Sequence, residues 1–146
     1  MTWRNNQRCK SNCALRQQRQ GELAWLGQRL DWLVAQVTKY RDGWRCQRCG
    51  KRLFRHEAHC AHVLAKSAGI LLRWDRQNTI LLCAEDHLQW AHLHPAEFRQ
   101  WFQAMFPERF AYLQEYRRQH GKIDAEARRT LIAVLEQELR RLGGWP

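Results

Sequence analysis

Between Ala14 and Asp42 apolar residues return at steps of three and four, at Leu23, Leu26, Leu30, Leu33 and Val37, with Arg and Gln on the other positions. That spacing follows the turn of about 3.6 residues that gives a helix one apolar stripe, so the stretch predicts a single amphipathic helix, ended by Gly43. Beyond it the pattern shortens. "WRCQRCGKRLFR" at 44–55 predicts a short strand, a tight C-x-x-C-G turn and a returning strand. The apolar bursts "AHVLA" and "NTILLC" predict two short strands joined by a long polar loop. After Cys83, "AEDHLQWAHL" predicts a helix with His87 about one turn in, and His94-Pro95 ends it because a residue before proline is pushed out of helical backbone. Pro95 and Pro107 each open a further helix, the second running to about His120. Asp124 opens the last one, with Leu131, Val134, Leu135, Leu139 and Leu142 on one face. The expected fold class is α+β, mostly helical, in three stretches: 1–43 with the long helix, 44–94 with the short strands, and 95–146 wholly helical.

Charge narrows the choice of partner. Lys and Arg number 25 against 14 Asp and Glu, a formal net charge of +11. A positive field over so much of the surface favours a polyanion, and nucleic acid above all. No stretch approaches the roughly 20 apolar residues of a spanning helix, and "MTWRNNQRCKSN" has no signal-peptide apolar segment, so no membrane partner is expected and the cytoplasm is the expected location. Of the eight tryptophans, Trp25, Trp32, Trp90 and Trp101 recur through helical stretches, where packing is favoured over base stacking.

The six cysteines are Cys9, Cys13, Cys46, Cys49, Cys60 and Cys83. In a reducing compartment the C-x-x-C spacing of Cys46 and Cys49 favours metal binding over a disulfide. A second half-site is needed, and downstream the chain reads Cys83-Ala84-Glu85-Asp86, C-x-x-D. A carboxylate oxygen binds zinc at about 2.0–2.2 Å, so Asp86 is the first choice for fourth ligand. Cys60 or His59, on the strand leaving the knuckle, comes next, and His87 after them. Three thiolates and a carboxylate should hold zinc less tightly than four thiolates. Cys9 and Cys13 resemble half of a second knuckle without its other pair, and read as free thiols or as a site shared in a dimer.

The order of these features carries the chemistry. A ββα-metal nuclease needs a histidine at the end of its first strand to take a proton from water, a residue on the second strand to orient it, and a metal ligand on the helix that follows. His62, Asn78 and His87 fall in those places. The chain resembles HNH (ββα-metal) endonucleases and is most similar to the bacteriophage NinG/Rap recombination-protein family. The matching stretches are "LDWLVAQVTKYRDGWRCQRCG" at 30–50, "AHVLAKSAGILLRWDRQNTILLC" at 61–83 and the His-Pro-x-x-Phe of "HLHPAEF" at 92–98. "CKSNCALRQQRQ" at 9–20 is similar to the Cys-Ser-x-x-Cys-Ala that precedes the long helix in that family.

The resemblance implies an HNH core with a zinc knuckle over 44–94, flanked by the long N-terminal helix and the C-terminal helices. It implies a DNA endonuclease selective for branched recombination intermediates such as Holliday junctions, D-loops and flaps. His62 is then the general base, Asn78 its orienting residue and His87 a ligand of the catalytic cation, Mg²⁺ or Mn²⁺, beside a structural Zn²⁺ on Cys46, Cys49, Cys83 and Asp86. His92 is a candidate second ligand, though five residues is a poor same-side offset on a helix. Lys66 stands where the family has Arg and faces phosphate, and Arg73 and Arg76 are the further candidates for DNA contact. "HEAHCAH" also offers His56 and His59 as bases, but His62 keeps the family register. Symmetric cutting of a four-way junction needs two active sites, which a homodimer supplies; a phage-encoded protein would act in the host cytoplasm. The rival readings are an HNH nuclease without branch preference and a non-catalytic zinc-knuckle DNA-binding protein.

Overall fold

The fold is that of a computed structural model, which describes residues 3–69, 71–119 and 121–146, with side chains described from Cys13 onward. It is α+β and mainly helical: α1 (Trp3–Arg41), β1 (His59–His62), β2 (Thr79–Leu82), a π-helical turn (Asp86–Ala91), α2 (Pro95–Met105), α3 (Pro107–Tyr116) and α4 (Ala125–Arg141). Three 3₁₀ turns, Lys66–Ala68, Leu72–Trp74 and Arg76–Asn78, shape the loop between the strands.

Helix α1 begins at Trp3, well ahead of the expected Ala14. Its first turns carry no apolar stripe for periodicity to detect, yet no Pro or Gly precedes Gly21 to break them. From Leu26 on the stripe is real. Leu30, Leu33, Val34 and Val37 bury against Leu135 and Leu139 of α4, with Leu131, Ile132 and Leu142 at the margin and Trp74 of the inter-strand loop inserted among them. The two helices run parallel, since Glu22 pairs with Arg129 and Arg29 with Glu136 in the same order along both. Their close approach passes Gly27, where a Cβ would sit 3.2 Å from Arg128 Nη1. Val134, expected on the inner face, is 49% exposed. The contact line runs through Leu131, Leu135, Leu139 and Leu142, and Ile132 flanks it in place of Val134.

A second core joins the strands to α2 and α3. Ala61, Ile80, Leu82, Phe98, Phe102 and Leu113 pack within it. β1 and β2 are antiparallel, with His59 opposite Leu82 and His62 opposite Thr79. Every β2 residue is buried, because α1 also reaches this strand: Thr38 Oγ1 lies 2.6 Å from Thr79 Oγ1. The strands expected on either side of the C-x-x-C turn reduce to one bridge, Arg45 to Arg52. Gln47 N donates to Leu81 O at 2.9 Å, so the knuckle backbone is tied to β2 instead of extending its own hairpin. Gly50, at φ +76°, closes the turn in backbone space that disfavours a side chain.

The last stretch divides between the two cores, α2 and α3 on the strands and α4 on α1. α3 stops at Tyr116, short of the expected His120, because Arg117, Arg118 and Gln119 are exposed and bury nothing. α4 starts where expected, with the Asp124 carboxylate accepting from Ala127 N at 2.8 Å. Trp90 and Trp101 pack edge-to-face, as expected, but Trp25 and Trp32 are 63% and 41% exposed. No helix among the described residues is long and apolar enough to cross a membrane.

A candidate metal centre beside a histidine cleft

The knuckle turn presents Cys46 and Cys49, the residue just after β2 is Cys83, and the π turn presents Asp86. Their ligand atoms all lie within 4.8 Å of one another. Asp86 N donates to Cys83 Sγ at 3.4 Å, the local contact that folds a C-x-x-D segment back on its cysteine as the helix begins. Sulfurs on one tetrahedral zinc, with Zn–S about 2.3 Å, stand roughly 3.8 Å apart. Cys49 and Cys83 Sγ are 3.9 Å apart, and Asp86 Oδ2 is 3.1 Å from Cys46 Sγ and 3.4 Å from Cys83 Sγ. This Cys₃Asp cluster is able to hold a metal ion and is compatible with structural zinc. The rival fourth ligands are engaged elsewhere, Cys60 on β1 with Thr38 and His59 with His87.

Burial pushes the Cys46 thiol up to about 12 and raises Cys83, so these thiols resist ionising without a countercharge. Burial would also raise Asp86, but hydrogen bonds from Cys46, Arg48, Cys49 and Cys83 outweigh it and hold the carboxyl below its usual range. Arg48 donates to Asp86 Oδ1 at 2.5 Å, and its guanidinium lies 3.8 Å from the centre of the Trp90 ring. The arginine thereby fixes which carboxylate oxygen faces the sulfurs and offsets part of the negative charge of the donor set. Arg48→Ala is expected to weaken zinc binding about 10–100-fold, the usual cost of losing a ligand's orienting partner. Competition with a chromophoric chelator measures this, and an unchanged affinity would refute the orienting role.

On the far side of the π turn, His62, Lys66, His87, His92 and Arg99 line a cleft of about 510 Å³. No carboxylate is among its lining residues. His62 Nε2 lies 2.9 Å from Arg73 O. A carbonyl only accepts, so Nε2 carries the hydrogen and Nδ1 keeps the lone pair. Burial lowers the His62 pKa, outweighing the Arg73 hydrogen bond, and keeps the ring neutral near pH 7.

Asn78 is fully buried, and among the described residues its side chain makes no hydrogen bond to His62. Its Oδ1 accepts from Leu64 N at 2.8 Å, and its Nδ2 donates to Leu64 O and Leu72 O, each at 3.0 Å. Asn78 ties the chain leaving β1 to the Leu72–Trp74 turn, and that turn's Arg73 carbonyl holds His62.

His87 and His92 stand side by side, with ring centroids 4.4 Å apart. In an α-helix a five-residue step leads about 140° around the axis. Here His92 N donates to His87 O at 3.0 Å, the i→i+5 bond of a π turn, and the step returns to the same side. Burial first, then the imidazoles of His92 and His59, lower the His87 pKa to about 4. His59, which the sequence offers as a zinc ligand or as a base, places its Nδ1 3.0 Å from His87 Nδ1. With His87 as donor in this bond, its Nε2 lone pair is free for a cation, the arrangement in which ligating histidines are oriented by a second partner. The signal was the pairing of His59 with Leu82, which puts it beside the segment that turns back through His87.

The remaining candidates separate. Lys66 is exposed on the cleft rim. Arg73 and Arg76 are each paired with a carboxylate: Arg73 makes two bonds to the Asp31 carboxylate, at 3.0 and 2.7 Å, and Arg76 pairs with Glu138 of α4. Both brace the inter-strand loop against the helical pair, and their side chains stay partly exposed there. His56 is exposed, and Cys13 is an exposed free thiol on α1, while the Cys9 side chain lies outside the described residues. The chain matches no family model, no curated protein and no solved structure. Fold and site together define a small α+β protein with a Cys₃Asp cluster able to hold a metal ion.

Proposed function

We propose that the protein is a metal-dependent DNA endonuclease of HNH type, with the cleft as its active site. The observation that carries this reading is the His62 geometry: a neutral imidazole, fixed by Arg73 O with its Nδ1 lone pair unspent, shares a carboxylate-free cleft with His87 and His92. The order β1, loop, β2, helical turn is the one that such a core requires. His62 accepts the proton of a water that attacks phosphorus, and the bond from phosphorus to the leaving oxygen breaks. Lys66 places positive charge beside the phosphate, and Asn78 keeps the His62 loop in register. A divalent cation on His87 and His92, when bound, supplies Lewis acidity to the phosphate and the leaving oxygen. Two imidazoles without a carboxylate suit Mn²⁺ better than Mg²⁺. The Cys₃Asp zinc is structural, and the net charge of +11 serves DNA binding. Preference for branched DNA, and a homodimer to cut junctions symmetrically, rest on the resemblance to the NinG/Rap family.

Purified protein incubated with linear duplex, flap and four-way-junction DNA tests this. Cleavage is expected with Mn²⁺, more slowly with Mg²⁺ and not with EDTA, on branched substrates before linear ones. No cleavage of any substrate with any metal refutes the nuclease and leaves a DNA-binding knuckle protein; equal cleavage of all three refutes the branch preference.

A further inference from the structure

We infer that Arg99 grips the reacting phosphodiester, supplying from α2 the guanidinium that the loop does not provide. The inference rests on the proposed nuclease reading and adds a residue that neither composition nor motif singled out.

Three observations lead to it. The cleft walls carry three histidines, Lys66 and Arg99 with no carboxylate, so the cleft suits an anion. The loop arginines nearest in sequence are already committed, Arg73 to Asp31 and Arg76 to Glu138, and Lys66 offers a point charge without a planar fork. Arg99 is exposed and has no hydrogen-bond or ion-pair partner among the described residues, so its donors remain for a ligand.

Its position is also well fixed. Pro95 opens α2 at the cleft edge, and Phe98, beside Arg99, is 3% exposed. Phe98 packs edge-to-face on Trp90 of the π turn, with ring centroids 5.4 Å apart. The backbone that carries Arg99 is thus locked to the same turn that carries His87. A guanidinium there binds two non-bridging phosphate oxygens through parallel N–H bonds, while Lys66 approaches from the loop side. The charge that builds on those oxygens during hydrolysis strengthens both contacts.

Two small probes, each with a single phosphodiester, test the assignment because they have no flanking phosphates. The first is turnover of bis(p-nitrophenyl) phosphate with Mn²⁺, and the second is binding of thymidylyl-thymidine followed by NMR of the histidine rings. Arg99→Ala is expected to lower kcat/KM for the first about 10–100-fold and to weaken binding of the second by about tenfold, with Arg99→Lys recovering part of each. Wild-type turnover and binding that survive Arg99→Ala unchanged overturn the inference. So does a variant that loses only duplex-DNA affinity, because Arg99 would then touch a flanking phosphate. If the wild type cleaves no diester but Arg99→Ala still weakens dinucleotide binding, the nuclease reading falls while Arg99 stands as a phosphate ligand.

Discussion

His62→Ala is expected to lower DNA cleavage by about 10²–10⁴-fold, the usual worth of a positioned general base, while DNA affinity stays within about twofold. The separation follows from where His62 sits. It lines the cleft, and among the described residues its side chain hydrogen-bonds only the Arg73 carbonyl, so on the proposed mechanism its removal deletes the proton acceptor and spares the basic side chains of the cleft. Cleavage by single-turnover kinetics and affinity by fluorescence anisotropy separate the two effects. The same residue sets a pH dependence. Burial lowers the His62 pKa from its usual value near 6.5, and the base acts only when neutral, so cleavage is expected to fall on acidification through a limb lying below about pH 6.5. Full activity despite His62→Ala, or an acid limb above neutrality, would rule out His62 as the base.

Cys83→Ala is expected to have the largest effect on structure. Cys83 directly follows β2, receives Asp86 N and stands 3.9 Å from Cys49, so its loss removes a candidate ligand and the anchor of the π turn together. Structural zinc supplies about 10–16 kcal/mol in small zinc-finger peptides, enough to decide whether such a unit folds. In this protein the loss is expected to be regional. The knuckle and the Asp86–Ala91 turn should lose hydrogen-exchange protection, while α1 and α4, which form their own apolar core, should keep it. Metal analysis should find less than one zinc per chain, whereas Asp86→Cys, which completes a four-thiolate set, should bind zinc more tightly than the wild type. A Cys83→Ala protein that keeps its zinc would show that the cluster is misassigned.

Much of the fold was legible in the sequence where one face of an element is buried. The α1 stripe from Leu26 to Val37, the two strands, the proline-led α2 and α3 and the Asp124 cap all leave periodic or terminal signals. The first turns of α1 leave none, being polar all round, and Val134 was misplaced because the parallel packing of α4 on α1 sets a contact line that local spacing does not contain. The metal cluster could be read because its spacing is local at each end: C-x-x-C at one, C-x-x-D at the other. The partners of the candidate site residues could not. Local sequence does not show that α1 brings Asp31 to Arg73 and α4 brings Glu138 to Arg76, nor that the strand register places His59 beside His87.

The π turn has a consequence for how this protein can vary. Between His87 and His92 its hydrogen-bonded ring encloses one residue more than an α turn would. Deleting Gln89 would let the turn relax to an ordinary α-helix and leave the two imidazoles four residues apart, again on one side. What the site specifies is therefore the pairing of helix type with spacing: five residues serve a π turn, four serve an α turn, and exchanging one without the other separates the histidines.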